Sequence, residues 1–203
     1  MADTGSDWRR RWRTRCFSRA GSNGLAALVL LVAGCAKNDP SAADLRRWEV
    51  EGFAGEADKA PQLATILVDR KEDELVRALA AAELGEMPAG AAYGDALIAA
   101  VEDDSPIVRV NAITACGNLA IPGASSPIAV HLKSDPEASV RRAAARALGK
   151  LSDASAVDPL LAAFDDRDLG VQELAAESLR ALTGQKFGRD AEAWRTWAST
   201  RPK

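Results

Sequence analysis

Aromatic residues are scarce in this chain: four Phe, one Tyr and five Trp among 203 residues. The core must therefore be aliphatic. Three cysteines exclude a disulfide-dense scaffold, and a single histidine, His131, excludes a multi-histidine metal centre. No β-alternation of useful length appears. Gly-x-Ser-x-Gly, a Gly-rich phosphate loop, Cys-x-x-Cys and Ser-x-x-Lys are all absent. No carboxylate constellation suggests acid–base work, so neither catalysis nor a cofactor is expected. The apolar run over residues 25–33 is nine residues long, too short for a membrane span. With 27% charged and 47% hydrophobic residues, the chain suits a folded domain rather than a disordered tail.

The N-terminus carries Arg9, Arg10, Arg11, Arg13, Arg15 and Arg19, then the apolar run, then Gly34 and Cys35. A basic segment, a short apolar segment and small residues make a secretory signal over residues 1–34, to be set aside from fold reasoning. Val32-Ala33-Gly34-Cys35 resembles the bacterial lipobox. That resemblance implies cleavage before Cys35 and acylation of its thiol, with Ala36 next to it favouring the periplasmic face of an outer membrane if one is present. Arg9-Arg10-Arg11-Trp12 leaves both the general and the twin-arginine export routes open. Residues 35–41 form the lipidated Cys and a short tether. Its six residues after Cys35 reach at most about 20 Å. Removing residues 1–34 takes six Arg and two Asp, leaving 20 basic against 27 acidic residues, a net charge of −7. An acidic body does not suit DNA or RNA. Cys116 is then the one thiol outside the signal and the lipidation site.

A repeat fills the remainder. Val76-Arg77, Val108-Arg109 and Val140-Arg141 recur at one constant interval, and Val171-Gln172 follows one position sooner. Four positions beyond each Val stand Ala80, Ala112, Ala144 and Ala175. Eight beyond stand Leu84, Cys116, Leu148 and Leu179. That spacing is one face of a helix, and a fixed period of this size marks a solenoid. Gly85, Gly117 and Gly149 come nine beyond and are expected to form left-handed C-caps. A preceding helix in each unit carries Leu97 and Val101, Ile128 and Leu132, or Leu160 and Phe164, with Pro127 and Pro159 near the starts.

These features, and Asp135-x5-Arg141-x-Ala-Ala-Ala-Arg-Ala-Leu-Gly149 above all, resemble the HEAT-like repeat in its short bacterial, phycobilisome-lyase-type form. The resemblance covers about residues 61–184. It implies an all-α, right-handed α-solenoid of about four helix pairs with N- and C-terminal cap helices. It also implies a structural ladder of Asp103, Arg109, Asp135 and Arg141 tying units together. Lys71 in the Asp place and Gln172 in the Arg place put the ladder in doubt at both ends.

Residues 42–60 read as an N-terminal cap helix, opened by Ser41-Ala-Ala-Asp44. Residues 185–203 read as a C-terminal cap helix, with Asp190 as N-cap and Trp194 and Trp197 as a lid over the last repeat, the alternative being a ligand-stacking pair. Cys116 reads as a small core residue and His131 as a half-buried histidine with one partner, the alternative being a pH-responsive contact.

The family resemblance puts the second helix of each pair on the concave side. Positions two and six beyond each Val point away from the core: Ala78 and Ala82, Val110 and Thr114, Arg142 and Arg146, Glu173 and Glu177. Lys150 extends the basic row. Arg142 with Glu173, and Arg146 with Glu177, are expected to pair between neighbouring helices. The expected binding groove is accordingly Val110, Thr114, Arg142, Arg146, Lys150, Glu173 and Glu177.

The expected function is a lipid-anchored envelope scaffold or adaptor holding a protein partner, with no catalysis of its own. The alternatives are an enzyme or enzyme subunit related to HEAT-type chromophore lyases, or a purely structural envelope protein. Cys35→Ser is expected to differ from wild type in size and in membrane retention on fractionation. The same size and the same retention would overturn the anchor.

Overall fold

The computed structural model describes residues 41–53 and 56–200. The signal segment, Cys35 and residues 36–40 lie outside the described residues. The chain divides into a unit of residues 1–44 and a compact unit of residues 45–203. In the first, Ser41 and Asp44 form a reciprocal cap. The Asp44 amide donates to Ser41 Oγ at 3.1 Å, and the Ser41 amide donates to Asp44 Oδ2 at 3.1 Å. This cap opens α1 (Ala42–Gly52).

In the second unit the helices come in alternation. After a short 3₁₀ turn come α2 (Ala60–Val68) and α3 (Glu74–Glu86), then α4 (Gly94–Ala100) and α5 (Pro106–Asn118). There follow α6 (Ser125–Ser134) and α7 (Ala138–Leu151), α8 (Val157–Ala162) and α9 (Leu169–Thr183), and last α10 (Ala191–Thr200). No strand occurs among the described residues, and no helix among them is long and apolar enough to cross a membrane.

Helices α3, α5, α7 and α9 lie side by side in chain order, and α2, α4, α6 and α8 pack against them as a second row. The repeat motif explains why. Val76, Val108, Val140 and Val171 are buried, as are the Ala and the Leu or Cys four and eight positions on. They fall on one helical face and point between the rows. Cys116 fills a leucine position at 0% exposure, and burial pushes its thiol up to about 12. It is a core residue rather than a reactive thiol.

The repeating glycines act differently from the C-caps expected of them. Gly85, Gly117 and Gly149 sit inside α3, α5 and α7. Each lies where the next helix of the row comes closest. A Cβ on Gly85 would stand 2.8 Å from Ala115 Cα, and one on Gly117 would stand 2.9 Å from Ala147 Cα. On Gly149 it would meet Ser178, whose Oγ donates to the Ala145 carbonyl at 2.8 Å. A glycine thus faces a small residue at every step of the row. The fourth copy has no following row helix, and there the position is Arg180, which is exposed. The left-handed residues at helix ends are others: Ala120 after α5, Ser152 after α7 and Gly184 after α9.

The far end is closed by α10. Asp190 Oδ1 accepts from the Ala193 amide at 3.0 Å and caps it. Trp194 is fully buried and donates through Nε1 to the Gly188 carbonyl at 2.8 Å. Phe187 and Trp197 meet its ring edge-on, with centroids 5.0 and 5.8 Å away. That geometry is favourable for aromatic pairs. Trp194 and Trp197 therefore belong to packing.

Two glycine substitutions should behave differently. Gly85→Ala gains about 1 kcal/mol in helix propensity. It also forces a Cβ to within 2.7 Å of Ala115 Cβ, an overpacking that costs about 1–3 kcal/mol. A net loss is expected in urea unfolding. Gly52 ends α1 with nothing within 4 Å of a built Cβ, so Gly52→Ala is expected to be neutral or stabilising.

Candidate functional site

The joints between successive helices of the row are made first by charge. Arg77 on α3 donates through Nε and Nη2 to the two oxygens of Asp103, at 3.2 and 2.9 Å. Arg109 on α5 holds Asp135 at 2.9 and 3.0 Å, and Arg141 on α7 holds Asp166 at 2.7 and 2.9 Å. All three pairs are buried or nearly so. Each Asp also accepts from the backbone amide two positions on (Ser105, Glu137 and Asp168), shaping the turn before the next row helix. Each Arg of α5 and α7 donates its remaining Nη1 to the carbonyl of its own turn, Asp103 or Asp135, at 2.9 Å. Every guanidinium nitrogen in the rungs therefore has a partner, Arg77 Nη1 reaching the Glu72 carbonyl.

Burial alone would raise these carboxyls. The paired guanidinium and the turn amide outweigh it and hold Asp103, Asp135 and Asp166 below the ordinary carboxylate value.

The ladder's expected weakness at its ends does not occur. A rung joins the Arg of one unit to the Asp of the next, so four units need three rungs. Lys71 precedes the first Arg and Gln172 follows the last Asp. Gln172 Nε2 still donates to the Asp166 carbonyl at 2.8 Å, in the manner of the arginines. At the front, Arg46 on α1 reaches Glu72 at 2.9 Å, with the same sequence offset as Arg77 to Asp103. The cap helix thus carries an outlying rung. Arg77, Asp166, Arg46 and Glu72 were missed in the sequence. Asp166 had a signal, because it follows Asp135 at the same interval as Val171 follows Val140.

Each joint has a further contact, and the three differ. Arg70 Nη1 donates to Asp104 Oδ2 at 3.0 Å. His131 has two partners instead of the expected one: Nδ1 lies 2.9 Å from Asp135 Oδ2 and Nε2 lies 3.2 Å from Glu102 Oε1. Arg142 donates to both oxygens of Asp168, at 2.8 and 2.5 Å. That bidentate pair lowers Asp168 to about 2, helped by the Val171 amide that it caps.

The expected groove residues fare unequally. Thr114, Arg142, Arg146, Lys150, Glu173 and Glu177 are exposed on α5, α7 and α9, and Val110 is half-buried. Ala78, expected on the same face, is buried. Arg142 pairs with Asp168 and not with Glu173, because the N-terminal turn of α9 lies nearer its guanidinium. No ion pair joins Arg146 to Glu177 among the described residues. Lys150 donates to Asn118 Oδ1 at 2.7 Å, and Asn118 donates to Glu86 at 3.4 Å. These three are spaced by one repeat each and tie α3, α5 and α7 at their C-terminal ends. The Thr114 hydroxyl donates to the Val110 carbonyl at 2.7 Å. What remains uncommitted is a strip of Arg146, Glu173 and Glu177, with the threonine methyl and Val110 beside it.

The opposite row carries an open cleft of about 550 Å³ between α6 and α8, with an apolar floor of Ala129, Leu132 and Ala163. Among the described residues, no three His, Cys, Asp or Glu side chains group to hold a metal ion.

The family model for HEAT repeats matches residues 94–180, from the start of α4 into α9. The match supports a HEAT-repeat protein with an all-helical fold, and HEAT repeats commonly mediate protein–protein contact. No curated protein matches the chain.

A depressed carboxyl contributes stability above its ordinary pKa of about 3.9. That contribution is lost as pH falls through the lower folded value. Asp103→Asn is expected to cost about 3–5 kcal/mol at pH 7, because it leaves Arg77 buried without its counter-charge. The loss should shrink toward pH 2, as the pH falls toward the lowered folded value and the wild-type carboxyl begins to protonate. Urea unfolding at the two pH values measures both, and an equal loss would show that the charge of the rung contributes nothing.

Proposed function

We propose that this chain is an exported scaffold, anchored to the cell envelope through acylated Cys35, that holds a protein partner and performs no catalysis. In this reading residues 61–184 form a right-handed superhelix of four HEAT-like pairs, with residues 42–60 and 185–203 as its caps. The α3–α5–α7–α9 row lines its concave side. Residues 35–41 keep the body within about 20 Å of the bilayer. The periplasmic face of the outer membrane is the expected site where that membrane exists.

One observation supports the choice of face. Most charged side chains near the joints are consumed within the molecule, by rungs, turn caps or lateral bonds. Arg146, Glu173 and Glu177 are exposed and enter no ion pair or hydrogen bond among the described residues. They lie on adjacent helices of one row. A partner segment presenting a carboxylate toward α7 and a cation toward α9 would complement them. Rim charges of this kind select partners and orient encounter more than they add affinity.

The test is photo-crosslinking in intact cells with the crosslinking residue at Thr114, and at Val130 on the other row as a control. A protein captured at position 114, not at position 130, and lost on Arg146→Glu is the expected result. Equal capture at both positions, or capture indifferent to Arg146→Glu, would remove this face from the account.

A further inference from the structure

His131 is the one histidine in the chain, and it stands at one joint only. Its ring, 12% exposed, lies in the last turn of α6 between two carboxylates that belong to successive units. Glu102 is in the turn before α5, and Asp135 is in the turn before α7.

A carboxylate oxygen accepts hydrogen bonds and donates none. A neutral imidazole has a single N–H. Both ring nitrogens are within hydrogen-bonding distance of a carboxylate oxygen, at 2.9 and 3.2 Å. The neutral ring would leave one of these as a contact between two lone pairs. The imidazolium satisfies both with charge-assisted bonds.

The two sides are not equivalent. Asp135 is enclosed and already held by both donors of Arg109 and by the Glu137 amide, so its position is fixed whatever the ring does. Glu102 is 62% exposed and free to turn away. The charged groups facing the ring are Glu102, Asp103 and Asp104 from the α4–α5 turn, Arg109 from α5, and Asp135. They border a small cleft that opens to solvent beside Val130. Lys133, on the same helix as the ring, lines the other cleft instead.

We propose that the Nε2–Glu102 contact is a proton-operated clasp across the joint between the α4–α5 and α6–α7 pairs. With the second proton on the ring, Nε2–H donates to Glu102 and the turn before α5 is tied to α6. When the ring gives up that proton, the remaining N–H stays on Nδ1 toward fixed Asp135, and Glu102 is released to water. The sign follows: the clasp contributes at the lower pH, where the ring carries both protons, and is lost at the higher pH, where it carries one. In a solenoid each unit touches only its neighbours, so one loosened joint alters the curvature at one place. The inference is independent of which partner, if any, the row holds.

Backbone hydrogen exchange at pH 6 and pH 8, corrected for the intrinsic pH dependence of exchange, reads the clasp directly. In the wild-type chain, residues 101–104 and 128–134 are expected to lose about two- to fivefold in protection at pH 8, the range for a partly exposed ion pair. Glu102→Gln should abolish that difference. The variant keeps a neutral amide that can pair with either form of the ring, and its exposed position leaves folding untouched. His131→Gln should abolish it as well. A wild-type chain with equal protection at both pH values, or a Glu102→Gln chain with the wild-type difference, would overturn the proposal. A far-UV circular dichroism spectrum confirms that each variant is folded before exchange is measured.

Discussion

The structure depends on a buried bidentate bond between an arginine of one unit and an aspartate of the next. A row of helices whose touching faces are mostly alanine and glycine can slide, because such faces are smooth and dispersion is non-directional. A guanidinium fork closed on a carboxylate cannot slide without leaving two charges dehydrated. The rung thus fixes the register that the apolar packing leaves loose. The same aspartate folds the turn that starts its own helix, so one side chain sets both the local break in the chain and the long-range joint.

The second constraint is closeness. With few aromatics, core volume has to come from small side chains, and small side chains fill space only when backbones approach. The facing of Gly85 on Ala115, Gly117 on Ala147 and Gly149 on Ser178 brings them together. Where the row ends the rule lapses, at Arg180 after the last glycine and at Glu83 before the first small residue. Glu83, near Glu51 and Glu86, has its carboxyl raised by partial burial and by their charge. A bulkier or charged residue is tolerated there because no row neighbour presses on it. The ends are closed by other means, α1 with its outlying rung and α10 with the fully buried Trp194.

The period, the helix faces, the buried Val, Ala and Leu positions and the caps at Ser41 and Asp190 were legible in the sequence, because each is a local pattern of fixed spacing. The joints were legible only in part. Asp103, Arg109, Asp135 and Arg141 stand in the motif, but which Asp meets which Arg is a matter of where one unit lies on the next, and sequence offsets within one unit do not reveal it. Expecting one Asp and one Arg in every unit made Lys71 and Gln172 look like defects. Pairing each Arg with the Asp of the following unit shows that nothing is missing. The glycines misled for a related reason. A glycine near a helix end suggests a left-handed cap when only one helix is in view, whereas the demand on Gly117 comes from Ala147, on the next helix of the row. The lateral pairing of Arg142 with Glu173 was drawn from columns of the repeat. The actual partner, Asp168, is the N-cap residue of α9, in the turn before the helix that carries Glu173.

The three joints share a rung and differ in what is added to it. Arg70 with Asp104 and Arg142 with Asp168 are arginine–carboxylate pairs. The middle joint has a histidine in that place. Its rung is as well satisfied as the others, so the unit boundary itself does not open when the imidazole changes state. Only the added contact does. A repeat protein built of identical joints would bend everywhere or nowhere. Here the common rung supplies the strength, and the variable contact decides which boundary answers to protons. A chemically distinct contact at one boundary of an otherwise regular array is what a local hinge requires.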